Sequence, residues 1–322
     1  MNNFLLNQSN NINNHFSTRI LDWYAQNKRD LPWRKENLDP YHIVISEIML
    51  QQTQVSKVIE KFKEFTSLFP TIHDLAKAQS AEVIQAWQGL GYNRRAILLH
   101  QFAQEICKKY EGNIPQSSDA LIKLPGIGPY TAGAISSFAF NRPEPAIDVN
   151  VRRIFLRFFK AKDQGLPQTK TEEKKLSELV KECIPENRSR DFHNALMDFG
   201  LLICLREKPL CLECPLKQSC SFFPLYQKQK EKVLFVAEKK KEIGMTENGK
   251  HVPNRIFRGR IVEFVRQNQE KEILFSTLGN YIKKDFKAEE QRWLQELCHK
   301  LQKEGLIKFK LMEENITLSL GK

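Results

Sequence analysis

Residues Leu121–Ile135 read LIKLPGIGPYTAGAI, a pattern of helix, tight turn and helix. Gly126 and Gly128 permit positive φ and carry no side chain that would block a ligand. Pro129 sits where the second helix begins, a position whose N–H has no intrahelical partner in any case. Backbone N–H groups at Gly126, Gly128 and the helix start can therefore face an anion. No side chain takes part, so such a contact is blind to sequence, as in positioning on a DNA backbone. A P-G-x-G taken alone equally describes an ordinary interhelical turn. Its neighbours weigh toward the phosphate reading.

Downstream, PEPAIDVNVRRIFLRFF places Asp148 just before an amphipathic helix, where it can serve as the N-cap. Upstream, DPYHIVISEIMLQQTQVSKVIEKF, residues 39–62, reads as one helix capped by Asp39 with Pro40 in its first turn. At 100° per residue Ile43, Val44, Ile48, Val55, Val58 and Ile59 share an apolar face. Glu47 falls on that same face, so desolvation should raise its pKa and leave it protonated near neutral pH. From His15 to about Phe223 segments with 3.6 periodicity follow one another between Pro, Gly, Asn and Ser, with no β-alternation. The expected class is all-α.

The chain has 322 residues, enough for about two domains. Lys and Arg number 50 against 38 Asp and Glu, a net charge of +12, which favours a polyanionic partner, most simply nucleic acid. No apolar run approaches the roughly 18 residues of a membrane span. The N-terminus lacks the pattern of a signal peptide, so a cytoplasmic protein is expected, nucleoid-associated if bacterial. Residues 1–14 are Asn-rich and read as a disordered tail, and 15–226 as the main helical domain. Residues 227–254 are Lys-rich and read as a basic linker. Residues 255–322 read as three helices and a β-hairpin, a winged-helix-like unit. Such a unit binds nucleic acid or packs on its neighbour, and its third helix carries as many acids as bases.

CLREKPLCLECPLKQSC holds Cys204, Cys211, Cys214 and Cys220, separated by six, two and five residues. Four thiolates so close can converge on one centre, an iron–sulfur cluster or a structural zinc. The uneven wrapping, with a single C-x-x-C, suits a [4Fe–4S] cube better than a zinc ribbon. Cys107, Cys183 and Cys298 stand alone in helical patterns and read as small buried apolar residues.

LPGIGPYTAGAI, then AIDVNVRR, then the four-cysteine loop, in that order, resembles the helix–hairpin–helix DNA glycosylases of the endonuclease III type. RDLPWR, SEIMLQQTQV, WQGLGYNRRA and FHNALMDFG narrow the resemblance to MutY-type adenine glycosylases over roughly Phe16–Phe223. It implies an all-α core of two helical subdomains with a [4Fe–4S] loop, plus the small C-terminal unit. It implies double-stranded DNA with a purine mispair as partner, adenine opposite 8-oxoguanine or guanine as substrate, and base flipping. Glu47 matches the general acid, and Asp148 the carboxylate that stabilises the oxocarbenium-like sugar. Tyr130 stands where lyase-active relatives carry lysine, which implies a monofunctional enzyme. Arg29, Trp33, Leu50 and Asn194 match the adenine pocket. Gln52, Thr53, Leu90 and Tyr92 match the residues that contact or wedge beside the opposite purine, and Gly126 and Gly128 the phosphate turn.

Two departures stand out. Asn194 replaces the Gln or Glu common in relatives, and residues 227–322 show no pattern of the Nudix-like domain that helps such proteins recognise 8-oxoguanine. A thymine or uracil mismatch glycosylase of the same superfamily, or a non-catalytic binder of damaged DNA, are the alternatives. A monomer is the default expectation.

Overall fold

The computed structural model describes residues 2–163, 169–228, 242–269, 271–312 and 315–321. Its helices are α1 Asn2–Asn27, α2 Pro40–Leu50, α3 Val55–Leu68, α4 Ile72–Lys77, α5 Ser80–Ala86, α6 Arg94–Tyr110 and α7 Ser118–Leu121. There follow α8 Pro129–Phe140, α9 Val149–Lys160, α10 Lys170–Glu182, α11 Ser189–Leu202 and α12 Phe223–Lys228. The C-terminal part adds strands β1 Gly244–Glu247 and β2 Lys250–Pro253, helix α13 Asn254–Gln267, strand β3 Glu272–Leu274, helices α14 Phe275–Ile282 and α15 Gln291–Lys303, and strands β4 Ile307–Met312 and β5 Asn315–Leu320. None of these helices is long and apolar enough to cross a membrane.

The chain divides into two compact units that do not follow sequence order. One comprises Met1–Ile43, Pro115–Lys123 and Ile127–Lys239; the other comprises Val44–Ile114, Leu124–Gly126 and Lys240–Lys322.

The first unit is held by one aromatic-rich core. Phe16, Ile20, Leu21 and Tyr24 of α1 pack with Ile154, Phe155 and Phe158 of α9, Leu176 and Val180 of α10, and Phe192, Leu196 and Phe199 of α11. The Phe16 ring lies 5.1 Å from Phe155 and 4.8 Å from Phe158, at angles that favour aromatic pairs. Helix α1 starts at Asn2, where the composition pointed to a disordered tail ending at Asn14. The docked stretch Phe16–Tyr24 nucleates the helix, and each upstream residue then adds a hydrogen bond without a new nucleation cost. Asn13 Nδ2 also reaches Glu182 Oε2 at 3.3 Å.

The same unit buries Asp198 of α11 completely between two arginines of RDLPWR. Arg29 Nε donates to its Oδ1 at 2.6 Å, and Arg34 grips both oxygens at 2.6 and 3.0 Å. The backbone N–H of Arg29 adds a bond to Oδ2. This fork-like pairing fixes the segment before α2 against α11.

In the second unit the C-terminal residues share a core with α5 and α6. Ile84 and Ile97 are buried in one cluster with Phe257, Ile261 and Val265 of α13, Leu278 and Ile282 of α14, Leu294 and Leu297 of α15, and Leu318 of β5. The three-stranded antiparallel sheet has the order β3-β5-β4, and with α13, α14 and α15 it forms the expected winged-helix-like arrangement. Two strands lie inside the span read as a basic linker: β1 and β2 form a hairpin across Asn248-Gly249. Both turn residues have positive φ, 48° and 76°, the conformation that Asn-Gly favours between paired strands. The VLFVA stretch of that linker lies outside the described residues.

The span 39–62 is two helices rather than one. α2 stops at Leu50, and Gln52 takes a left-handed φ of 56° before α3 begins at Val55. Residues Ile43–Met49 are all buried, so α2 is enclosed on every side and has no single apolar face.

Removing the Asp198 carboxylate would leave the Arg34 guanidinium, only 10% exposed, without its ionic partner. Asp198→Ala should lower unfolding stability by about 3–5 kcal/mol in urea titration. A loss below about 1 kcal/mol would mean that the pair is not a main support of this unit.

Candidate active site

The second unit holds Glu47 and the residues matched to the opposite base. Glu47, one turn before the end of α2, is 7% exposed. The helix ends because a buried guanidinium collects its last carbonyl groups. Arg95 Nη1 donates to Ile48 O, Met49 O and Gln51 O at 2.8, 2.9 and 2.6 Å. Its Nη2 donates to Thr53 Oγ1, Leu90 O and Gly91 O at 3.0, 3.1 and 3.1 Å. A cation at a helix C-terminus also meets the negative end of the helix dipole. Burial pulls the Arg95 pKa down to about 10, which leaves it charged at neutral pH.

Arg95 thus ties the Gln51–Thr53 turn to the loop Leu90–Tyr92. Leu50, Gln52, Thr53, Leu90 and Tyr92 are brought together by it. Leu90 is buried, Gln52 is exposed, and Tyr92 is 42% exposed. Gln52 and Tyr92 both hold positive φ, 56° and 46°. For a bulky side chain such as tyrosine this is a strained conformation, of a kind that clusters at functional sites. Arg95 lay within the quoted WQGLGYNRRA, but an arginine in a helix gives no local sign that it is buried.

The first unit holds Asp148 and the cysteines, joined by α9. Asp148 is the N-cap of α9: its Oδ1 accepts from the N–H groups of Asn150 and Val151 at 2.8 Å each, and its Oδ2 from Asn150 Nδ2 at 2.7 Å. Burial raises its pKa above the ordinary 3.8, against the pull of these hydrogen bonds and of Arg153. Asn150 passes the chain of contacts on, since its Oδ1 accepts from Arg153 Nη2 at 2.8 Å. Arg153 then donates to Cys204 O at 2.8 Å and Gly200 O at 2.7 Å. One helical turn later Arg157 donates to Leu205 O at 2.6 Å and Arg206 O at 2.8 Å, and its Nη1 lies 3.5 Å from Cys204 Sγ. The 153/157 spacing puts both guanidinium groups on one face of α9, against the cysteine loop.

Cys204, Cys211, Cys214 and Cys220 are all half-buried, and three of them pack on the core of the unit. Burial, and then the charge of the other thiols, pushes Cys211 and Cys214 up to about 12 and moves Cys220 the same way. Thiols raised in this way ionise only beside a cationic centre, and a donor set of four sulfurs suits iron or zinc. Among the described residues no three His, Cys, Asp or Glu side chains close on a single ion. Cys183 and Cys298 are buried as read, whereas Cys107 is only half-buried, with its Sγ 3.4 Å from His73 Nδ1.

Tyr130, in the first turn of α8, is half-buried beside Ile43, Phe138 and Ala146. Trp33 is buried in the turn Pro32–Arg34, and Asn194 is half-buried on α11. Arg29 is engaged by Asp198 with its side chain 26% exposed. In the hairpin only Gly126 uses positive φ, 76°, and a Cβ there would lie 2.9 Å from Leu98 Cβ. Gly128 has an ordinary φ of −94° as the N-cap of α8, so its conformation does not demand glycine; a Cβ there would point into open space.

His193 holds the approach to Asp148. Its Nε2 accepts from Ala146 N–H at 3.1 Å, and its Nδ1 lies 2.9 Å from both Ser189 O and Ser137 Oγ. Buried completely, it is neutral with its pKa lowered to about 4 from 6.5. The unfolded chain therefore binds a proton that the folded one refuses, and stability falls as pH drops below about 6.5 toward 4. The cost should reach about 2 kcal/mol between pH 6.5 and 5 in denaturant titrations. His193→Gln should abolish that slope; an unchanged slope would assign it to other groups.

Known proteins are similar to this chain over much of its length. The family profile described as HhH-GPD superfamily base excision DNA repair protein matches residues 45–182. An adenine DNA glycosylase of Buchnera aphidicola subsp. Acyrthosiphon pisum is 43% identical over 206 residues, 64% of this chain and 58% of that protein. Another, from Buchnera aphidicola subsp. Schizaphis graminum, is 35% identical over 280 residues, 87% of this chain and 78% of that protein. A solved structure of a thermostable thymine-DNA glycosylase superposes with a TM-score of 0.62 at 31% identity, covering 67% of this chain and 98% of that one. Against six curated adenine DNA glycosylases the chain spans 37% to 58% of their length. The chain belongs to the HhH-GPD superfamily of base excision DNA repair proteins and, within it, to the adenine DNA glycosylase family.

Proposed function

We propose that the chain is a monofunctional adenine DNA glycosylase that hydrolyses the N-glycosidic bond of adenine mispaired with 8-oxoguanine or guanine in double-stranded DNA. The observation that carries this reading is a carboxylic acid buried to 7% exposure, Glu47, in a chain of this family that also holds the desolvated Asp148.

Adenine leaves readily only when its ring is protonated. Glu47 donates that proton, and its burial keeps one available. As the bond breaks, the sugar becomes cation-like, and the Asp148 carboxylate stabilises it while its cap bonds hold it in place. Water completes the hydrolysis. Tyr130 supports Asp148 and the sugar; it has no amine, so it forms no Schiff base and leaves the strand uncut. Arg29, Trp33, Leu50 and Asn194 line the adenine pocket. Gln52, Thr53, Leu90 and Tyr92 meet the opposite purine, and the N–H groups around Gly126 and Gly128 meet phosphate. Cys204, Cys211, Cys214 and Cys220 hold a [4Fe–4S] cluster, which when bound cross-links a loop poor in apolar side chains. The protein acts as a monomer wherever chromosomal DNA lies.

Duplexes carrying A·8-oxoG, A·G, T·G and U·G, treated with hot alkali after incubation, test the substrate. Alkali-labile sites are expected only at adenine in the first two; release of thymine or uracil moves the assignment. Glu47→Gln should lower the single-turnover rate by roughly 100-fold or more while duplex binding persists, and a retained rate removes Glu47 as the acid. The purified protein should be brown, with a visible iron–sulfur absorption band and about four irons per chain. A colourless, zinc-loaded protein overturns the cluster.

A further inference from the structure

The C-terminal part packs through one side and leaves another free. On α13, Arg266 Nη2 donates to Ile84 O at 2.9 Å and to Asn93 Oδ1 at 3.1 Å, and Glu263 Oε1 accepts from Gln88 Nε2 at 2.8 Å. Ile307 and Phe309 of β4, with Ile316, Leu318 and Leu320 of β5, are buried in the core shared with Ile84 and Ile97. Side chains alternate across a strand, so the residues between these face outward. They are Lys308 and Lys310 on β4, paired in register with Ser319 and Thr317 on β5. Around them lies a depression of about 470 Å³. β4 is an edge strand, and there Gln302 Nε2 donates to Phe309 O at 3.3 Å.

The charge of this face has no internal partner. All five arginines of the C-terminal part are held by carboxylates: Arg255 by Glu242, Arg258 by Glu304, Arg260 by Glu247, Arg266 by Glu263 and Arg292 by Glu296. Lys308 and Lys310 are exposed, and they form no ion pair among the described residues. The only carboxylate that strand register places on this face, among the described residues, is Glu272 of β3, opposite Thr317. It already accepts from Asn315 Nδ2 at 2.9 Å. The third helix of the unit, α15, is less suited to a polyanion, because its exposed Arg292 is matched by Glu296.

This chemistry selects a partner. Residues two apart on a strand lie roughly 7 Å apart on one face. Two ammonium groups so spaced, with a hydroxyl opposite each, can meet the oxygens of neighbouring phosphates. Lys308, Lys310, Thr317 and Ser319 include no aromatic ring, so unstacked bases find no platform on them. Gln302 occupies an edge carbonyl that an added peptide strand would need. The sugar–phosphate backbone of a duplex fits what remains.

We propose that the outer face of β4 and β5 is a sequence-blind contact for the backbone of double-stranded DNA, so that the C-terminal part holds duplex through its strands and not through its third helix. The contact is independent of the mispair. It therefore goes beyond the glycosylase reading and requires only that the chain binds DNA.

The test titrates the full chain against a fluorescent, fully paired duplex from about 50 to 200 mM NaCl. Each phosphate neutralised contributes about 0.9 to the slope of log affinity against log salt. Lys308→Ala/Lys310→Ala should flatten that slope by about 1.8 and weaken binding roughly tenfold or more at the low-salt end. Lys284→Ala/Lys287→Ala removes the same charge from an exposed segment between α14 and α15 and should leave the slope nearly unaltered. An unaltered slope in the first variant overturns the contact. An equal change in both variants also overturns it, since net charge alone then explains the loss. Binding without adenine release by the unaltered chain overturns the glycosylase reading and leaves this comparison in force.

Discussion

The guanidinium of Arg95 is the constraint on which the second unit depends. A buried cation is tolerated only when it is well solvated by protein dipoles, and five carbonyl oxygens and one hydroxyl surround the two terminal nitrogens of Arg95. Those acceptors come from two segments about forty residues apart in sequence. Because the carbonyls of Ile48, Met49 and Gln51 turn toward Arg95, α2 cannot run on into α3. The break sets Gln52 in a left-handed conformation, and the same cation fixes the loop in which Tyr92 does likewise. One charge therefore ends the helix that bears Glu47 and shapes both turns beside it.

A comparable arrangement organises the first unit, with the sign of the central charge reversed. Asp198 is an anion enclosed by cations, and it fastens RDLPWR to α11. On α9 the cap at Asp148 and the arginines at 153 and 157 stand at successive levels of one short helix. Any rotation of α9 that disturbed the cysteine loop would also turn the carboxylate at its N-terminus. The electrostatics and the packing of this helix cannot be altered separately.

Much of this was legible in the sequence. Helical periodicity, the P-G-x-G-P turn, the Asp148 cap and the cysteine spacing are local patterns, and local patterns survive in a linear reading. The buried ionic centres were not legible, because Arg95, Asp198 and Arg157 look like any surface charge until distant segments close around them. The break of residues 39–62 into two helices was hidden for the same reason, since each half has good helical character and the break is imposed by Arg95 from α6. The β1–β2 hairpin is a different case. Asn248-Gly249 was a readable turn signal, masked by the surrounding lysines. Composition alone reads residues 1–14 as a tail because it does not register cooperativity with a docked helix downstream.

The interleaving of the second unit has a consequence for biosynthesis. Ile84 and Ile97 emerge early from the ribosome, but the partners that bury them lie on α13, α15 and β5. At roughly 5–20 residues per second, the interval from Ile97 to Leu320 is about 10–45 s. During that time the nascent chain carries an apolar surface with no native cover, while the aromatic core of the other unit, whose last buried member is Leu216, can already close. The two halves therefore mature out of step. Quality control acting on partly made chains will meet the half that contains Glu47 as the vulnerable one.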